Sequence, residues 1–171
     1  YGQIIKLIGY RSLPFLTPFI ASIGLIYYYL LIRKFFGKTN ALISALLLAS
    51  FPVYIYYSAR SMFHNILFMV LLIIGIYFAA LMVGRKKKMA DGNLFNYKNF
   101  AIRPYIFSAL SGIFFGLAVI TRTSELIWLL PMLIILWIGN IKKLGLTKLI
   151  IFLSGIFLSI MPVLYWDQTL Y

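Results

Sequence analysis

The chain has no cysteine, a single histidine and three acidic residues among its 171 positions. Without cysteine it holds neither a disulfide framework nor a thiolate metal site, and its redox compartment stays open. The lone histidine, His64, excludes a histidine-based metal centre or relay. The signatures GxxxxGK[ST], GxGxxG, HExxH and GxSxG are also missing, and with them the usual marks of phosphate loops, dinucleotide sites, zinc hydrolases and nucleophile elbows. No internal repeat is evident. The chain starts at Tyr1, without an initiator Met or a signal-peptide pattern, so it is expected to be a piece of a longer protein.

What is present is apolar surface. Hydrophobic residues make up 63% of the chain, and the mean hydropathy is +0.97. Soluble domains of this size do not carry that much, which makes this an integral membrane protein. The apolar runs are continuous rather than alternating, which excludes a barrel and leaves helices as the spanning element. They predict an all-α, polytopic transmembrane helical bundle of about six spans, near 13–32, 41–57, 64–83, 105–120, 124–139 and 149–166, within a single partial membrane domain.

The formal net charge of +13 raises the question of a nucleic-acid partner, and the placement of the charges answers it. Alternate gaps between spans hold Arg33, Lys34 and Lys38, then Arg85, Lys86, Lys87, Lys88, Lys98 and Arg103, then Lys142, Lys143 and Lys148. The remaining gaps hold only Lys6, Arg11, Arg60 and Arg122. This is the positive-inside pattern: the first set faces the cytoplasm, the charge reports topology, and no nucleic acid is implied. The run Arg85 to Lys88 also suits anionic lipid head groups, as many cytoplasmic loops do.

The segment Tyr1 to Ser12 places Ile4, Ile5 and Ile8 at helical spacing, with Lys6 and Arg11 off that face, which predicts an interfacial helix. The one sizeable loop is 84–104, where ADGN signals a turn. Tyr54, Tyr56, Tyr57, Tyr105, Trp128, Tyr165 and Trp166 favour span ends and fit aromatic belts, as does the triplet Tyr27 to Tyr29. Gly112 and Gly116, with Ser108 at the same spacing, mark a face that admits another helix closely. Pro14, Pro18, Pro52, Pro131 and Pro162 lie within or near span ends, where they kink helices.

The stretch TRTSE, Thr121 to Glu125, interrupts two apolar runs that are together short of the roughly 40 residues two full crossings need. Either the spans extend into their flanks or the turn lies below the outer surface, with Arg122 and Glu125 at membrane depth. A charge at that depth costs about 3 kcal/mol on insertion scales, so it faces a cavity and a partner. The i, i+3 spacing lets Arg122 and Glu125 neutralise each other and close a hairpin. The functional alternative is that Arg122 awaits an anion, since its planar fork suits phosphate, with Thr121, Thr123 and Ser124 as hydroxyl donors. Arg11, Arg60, His64 and Asp167 occupy the other gaps on this side and would join it in lining one outward site. Taken singly, Arg60 snorkels to the interface, His64 is an interfacial polar residue, and Asp167 is a loop residue.

Three stretches resemble integral membrane glycosyltransferases of the GT-C class, specifically the dolichyl-phosphate-mannose protein mannosyltransferase-like group that includes aminoarabinose transferases. GYRSLPFLTPFIASIGLIYYYLLIRKFFGKTNALISALLLASFP is similar to the family's arginine entering a span, its basic and aromatic turn, and a small-residue span ending in Pro. YYSARSMFHN resembles the external turn that follows, and SGIFFGLAVITRTSELIWLLP the Gly-rich span, basic turn residue and next span.

The resemblance implies transfer of a sugar from a polyprenyl (dolichyl or undecaprenyl) phosphate carrier to a protein, lipid or glycan acceptor on the outer or lumenal face, with inversion. It places Arg122 against the carrier phosphate, and Arg11 and Arg60 near the same pocket. It puts the catalytic acidic residues upstream of Tyr1 and therefore assigns none in this chain. No cofactor is readable, although the resemblance leaves room for a divalent cation. The expected setting is a multi-pass membrane protein among membrane lipids, with a prokaryotic plasma membrane preferred to the endoplasmic reticulum. Two other classes compete: a transporter or flippase for a lipid-linked or anionic substrate, and a non-catalytic membrane subunit.

Overall fold

The computed structural model describes residues 9, 11, 13–60, 64–83 and 97–170, and every regular element among them is helical. The interfacial helix expected at the N-terminus, the basic run Arg85 to Lys88 and the ADGN turn lie outside the described residues. Helix α1 is Leu13–Phe36, α2 Lys38–Ser50, α3 Pro52–Ala59, α4 His64–Met82 and α5 Tyr97–Thr121; a 3-10 turn, Thr123–Glu125, leads into α6, Leu126–Leu170. Helix α6 is broken at Gly145, whose φ of 68° and ψ of 162° lie outside helical space.

Among the described residues five stretches are long and apolar enough to cross a bilayer: Pro14–Phe36, His64–Met82, Arg103–Thr121, Thr123–Asn140 and Gly145–Tyr165. A sixth is the bent pair α2 and α3, whose axes differ by 60°. The chain is thus a polytopic all-α membrane protein. Its exterior agrees: Phe15, Leu47, Ile127, Trp128, Ile135 and Leu158 are among many large apolar side chains left exposed. In water that surface would be unfavourable, whereas in hydrocarbon it is solvated.

The chain forms two compact units, Tyr1–Tyr77 and Phe78–Tyr171. In the first, α1 packs on the others through small residues. A β-carbon on Gly24 would lie 2.5 Å from Val70 Cγ2 of α4, so glycine is what permits that approach. Thr17, Ala21, Ala41, Tyr54, Ile66, Val70 and Ile74 are buried around it. Tyr54 Oη donates to the Ala21 carbonyl at 2.7 Å, tying α3 to α1. Tyr54 was expected in an aromatic belt, but it is a packing residue with an internal partner.

The bend between α2 and α3 follows from Pro52. Proline disfavours helical backbone in the preceding residue, and Phe51 accordingly adopts φ −68° and ψ 121°. Pro52 then occupies the first turn of α3, where its missing N–H leaves no helical bond unmade. The span expected as one helix over 41–57 is therefore two.

The second unit is built on α5 and the C-terminal arm of α6. A β-carbon on Gly112 would run into the Phe152 carbonyl. One on Gly116 would sit 2.8 Å from Ser159 Cβ, and one on Gly155 2.7 Å from the Ala109 carbonyl. With the backbones this close, Ser108 Oγ donates to the Lys148 carbonyl at 2.6 Å, and Ser159 Oγ to the Ile113 carbonyl at 3.1 Å. Phe152 fills the seam, its ring 5.7 Å from those of both Phe115 and Trp137. Phe78 stacks on Phe107 and Phe114. Helix α5 starts at Tyr97, inside the stretch expected as loop, and carries Pro104 within it.

Candidate functional site around Arg122

Helix α5 ends at Thr121 because Arg122 leaves helical space, with φ −149° and ψ 88°. Its N–H still donates to the Ala118 carbonyl at 3.2 Å, and its own carbonyl accepts from the Glu125 N–H at 3.2 Å. The single 3-10 turn so formed brings the two charged side chains together. Arg122 Nη2 lies 3.1 Å from Glu125 Oε1, with the side chains 36% and 28% exposed. A partly exposed pair of this kind contributes about 0.2–1 kcal/mol.

The hydroxyls divide. Thr121 Oγ1 donates to the Leu117 carbonyl at 2.6 Å, so its proton is committed to its own helix. Thr123 and Ser124 are exposed on the turn beside Arg122. Of the three hydroxyls expected around the arginine, these two remain accessible.

The two helices that flank the turn can be measured against a bilayer. Arg103–Thr121 has 19 residues and Thr123–Asn140 has 18. At 1.5 Å per residue these reach about 28 and about 27 Å, against a hydrocarbon core of about 30 Å. Both stretches continue into their flanks, past Tyr105 and Ile138, so that each comes close to the length of one crossing.

Of the other residues singled out, Arg11, Arg60 and His64 belong to the first unit and Asp167 to the second. Arg11 is exposed just before α1, and His64 is exposed at the first position of α4. Arg60 follows the last turn of α3 and is exposed, with its Cζ 4.8 Å over the Tyr56 ring centroid. That cation–π contact holds the guanidinium against its own element. Asp167 lies on the last turns of α6. Among the described residues no three His, Asp or Glu side chains come together as a metal site.

A match to the family described as dolichyl-phosphate-mannose-protein mannosyltransferase covers residues 4–166. The chain belongs to this family. The mannosyltransferase match takes in all the described helices nearly to the end of α6, together with the whole turn that carries Arg122. It makes the protein a membrane glycosyltransferase of the mannosyltransferase type, in agreement with the resemblance of its three motifs. No curated protein and no solved structure matches the chain.

Proposed function

We propose that this mannosyltransferase-family protein takes its sugar from a polyprenyl phosphate carrier, and that Arg122 binds the carrier phosphate. The supporting observation is the setting of Arg122: a permanent cation at the end of an apolar hairpin, partly exposed, and held by a carboxylate three residues on. In the transfer, the bond between the anomeric carbon and the phosphate oxygen breaks as the acceptor oxygen bonds to that carbon. The bonding electrons leave with the phosphate, and the acceptor proton goes to a general base. Negative charge grows on the phosphate oxygens, and a fixed guanidinium beside them stabilises the transition state more than the ground state. Glu125 orients the fork rather than reacting.

The transporter alternative would favour ionisable residues spread along the spans, whereas Arg122 and Glu125 are paired in one turn between two apolar stretches. The test is transfer of labelled sugar from polyprenyl phosphate by membranes containing the full-length protein. Arg122→Ala is expected to lower transfer by about 100-fold or more at an unchanged level of inserted protein. Full transfer by that variant overturns the assignment. Movement of the lipid-linked sugar across vesicles without any transfer favours the transporter.

A further inference from the structure

The turn joining α1 to α2 gathers three cations and two exposed aromatic rings. Arg33 and Lys34 close α1, Lys38 opens α2, and all three are exposed. Between them Phe35 and Phe36 are 61% and 64% exposed, with ring centroids 6.5 Å apart. Gly37 makes the reversal possible: its φ of +88° is a conformation that side chains oppose. The turn is then closed by the Gly37 N–H donating to the Arg33 carbonyl at 3.2 Å, and by Asn40 Nδ2 donating to the Phe36 carbonyl at 3.0 Å. The patch is thus a fixed shape rather than a loose run of charge.

Its own unit offers no counter-charge. The sequence from Tyr1 to Tyr77 contains no Asp and no Glu, since the chain's acidic residues are Asp91, Glu125 and Asp167. The position at the end of a membrane span puts the cations at headgroup level, while exposed phenylalanine rings are solvated best by the adjoining acyl chains. A partner that satisfies both carries negative charge and hydrocarbon in one molecule.

We infer that the Arg33–Lys38 turn binds an acidic phospholipid, its headgroup phosphate against Arg33, Lys34 and Lys38 and its acyl chains against Phe35 and Phe36. Each cation near an anionic lipid contributes about a fivefold preference, so the three together reach roughly 100-fold. The inference is independent of the sugar-transfer reading, because it concerns a different turn and a different lipid.

The test is native mass spectrometry of the full-length protein in mild detergent, supplied with equal amounts of phosphatidylglycerol and phosphatidylcholine. The most tightly held lipid is expected to be phosphatidylglycerol, with the preference falling about tenfold or more in R33Q/K34Q/K38Q. K142Q/K143Q/K148Q removes equal charge from the same basic set of residues without flanking phenylalanines, and is expected to keep the preference. Equal loss in both variants would show that net charge alone is read, and overturns the site. Displacement of the lipid by inorganic phosphate at matched ionic strength also overturns it, since a lipid site retains its ligand through the acyl chains. Should the triple variant fail to fold, K38Q, a single exposed change, is read in the same way. It is expected to lose about fivefold, and an unchanged ratio counts against the proposal.

Discussion

Gly112 faces the backbone carbonyl of Phe152 so closely that a β-carbon on the glycine would overlap it. Backbone cannot rotate away as a side chain can, so Gly112→Ala must push α5 and the C-terminal arm of α6 apart. The expected cost is about 1–3 kcal/mol, read as a fall in thermal or denaturant stability of the purified protein. Gly139 is the contrast: it lies in the same α6 with nothing within 4 Å of its would-be β-carbon. Gly139→Ala is expected to be neutral or stabilising by up to about 1 kcal/mol. Equal destabilisation by both would contradict close approach as the reason for glycine at position 112.

Tyr54 and Tyr56 differ in what their hydroxyls do. Tyr54 is buried and donates to Ala21 at 2.7 Å, whereas Tyr56 is exposed and contributes its ring face to Arg60. Tyr54→Phe removes a helix-to-helix bond and leaves a buried carbonyl less satisfied, at an expected cost of about 0.5–1.5 kcal/mol. Tyr56→Phe keeps the ring and is expected to change stability by less than that. Unfolding of the two variants side by side decides it.

The break in α6 depends on one residue. Gly145 adopts φ 68° with open space around it, so an alanine there meets no clash and only backbone strain. Gly145→Ala is expected to cost about 1–2 kcal/mol. A variant as stable as the parent would show that the chain straightens at this point, and that the break is not required by the packing.

Span number, the hairpin around TRTSE and the close-approach face of Gly112 and Gly116 were legible because each depends on local pattern: apolar run length, a polar interruption, small residues at helical spacing. The partner of that face was not legible. Small residues say that another backbone comes near, and nothing in their spacing says that it is the arm carrying Phe152 and Gly155. The bend at Phe51 is half legible, since Pro52 marks a kink while the apolar run continues straight through it. Tyr54 misled because an apolar neighbourhood looks the same in sequence whether it is a lipid interface or a helix contact. The pairing of Arg122 with Glu125 was one of two open alternatives, and the 3-10 turn provides the geometry for it.

Glu125→Gln separates structure from function at this turn. The pair is too exposed to contribute more than about 1 kcal/mol, so stability is expected to stay close to that of the parent. Transfer is expected to fall several-fold, well short of the loss in Arg122→Ala, because the guanidinium remains and only its orientation is relaxed. A large stability loss with unchanged transfer would make the pair a hairpin closure only.

The most direct measurement is carrier binding by the purified full-length protein, followed as thermal stabilisation by polyprenyl phosphate. A ligand that binds the folded state at 100 times its Kd stabilises it by about 2.7 kcal/mol. The parent protein is expected to show a clear upward shift in Tm, and Arg122→Ala to show little or none at the same concentration while remaining folded. An equal shift in both proteins would contradict the assignment of Arg122 to the carrier phosphate.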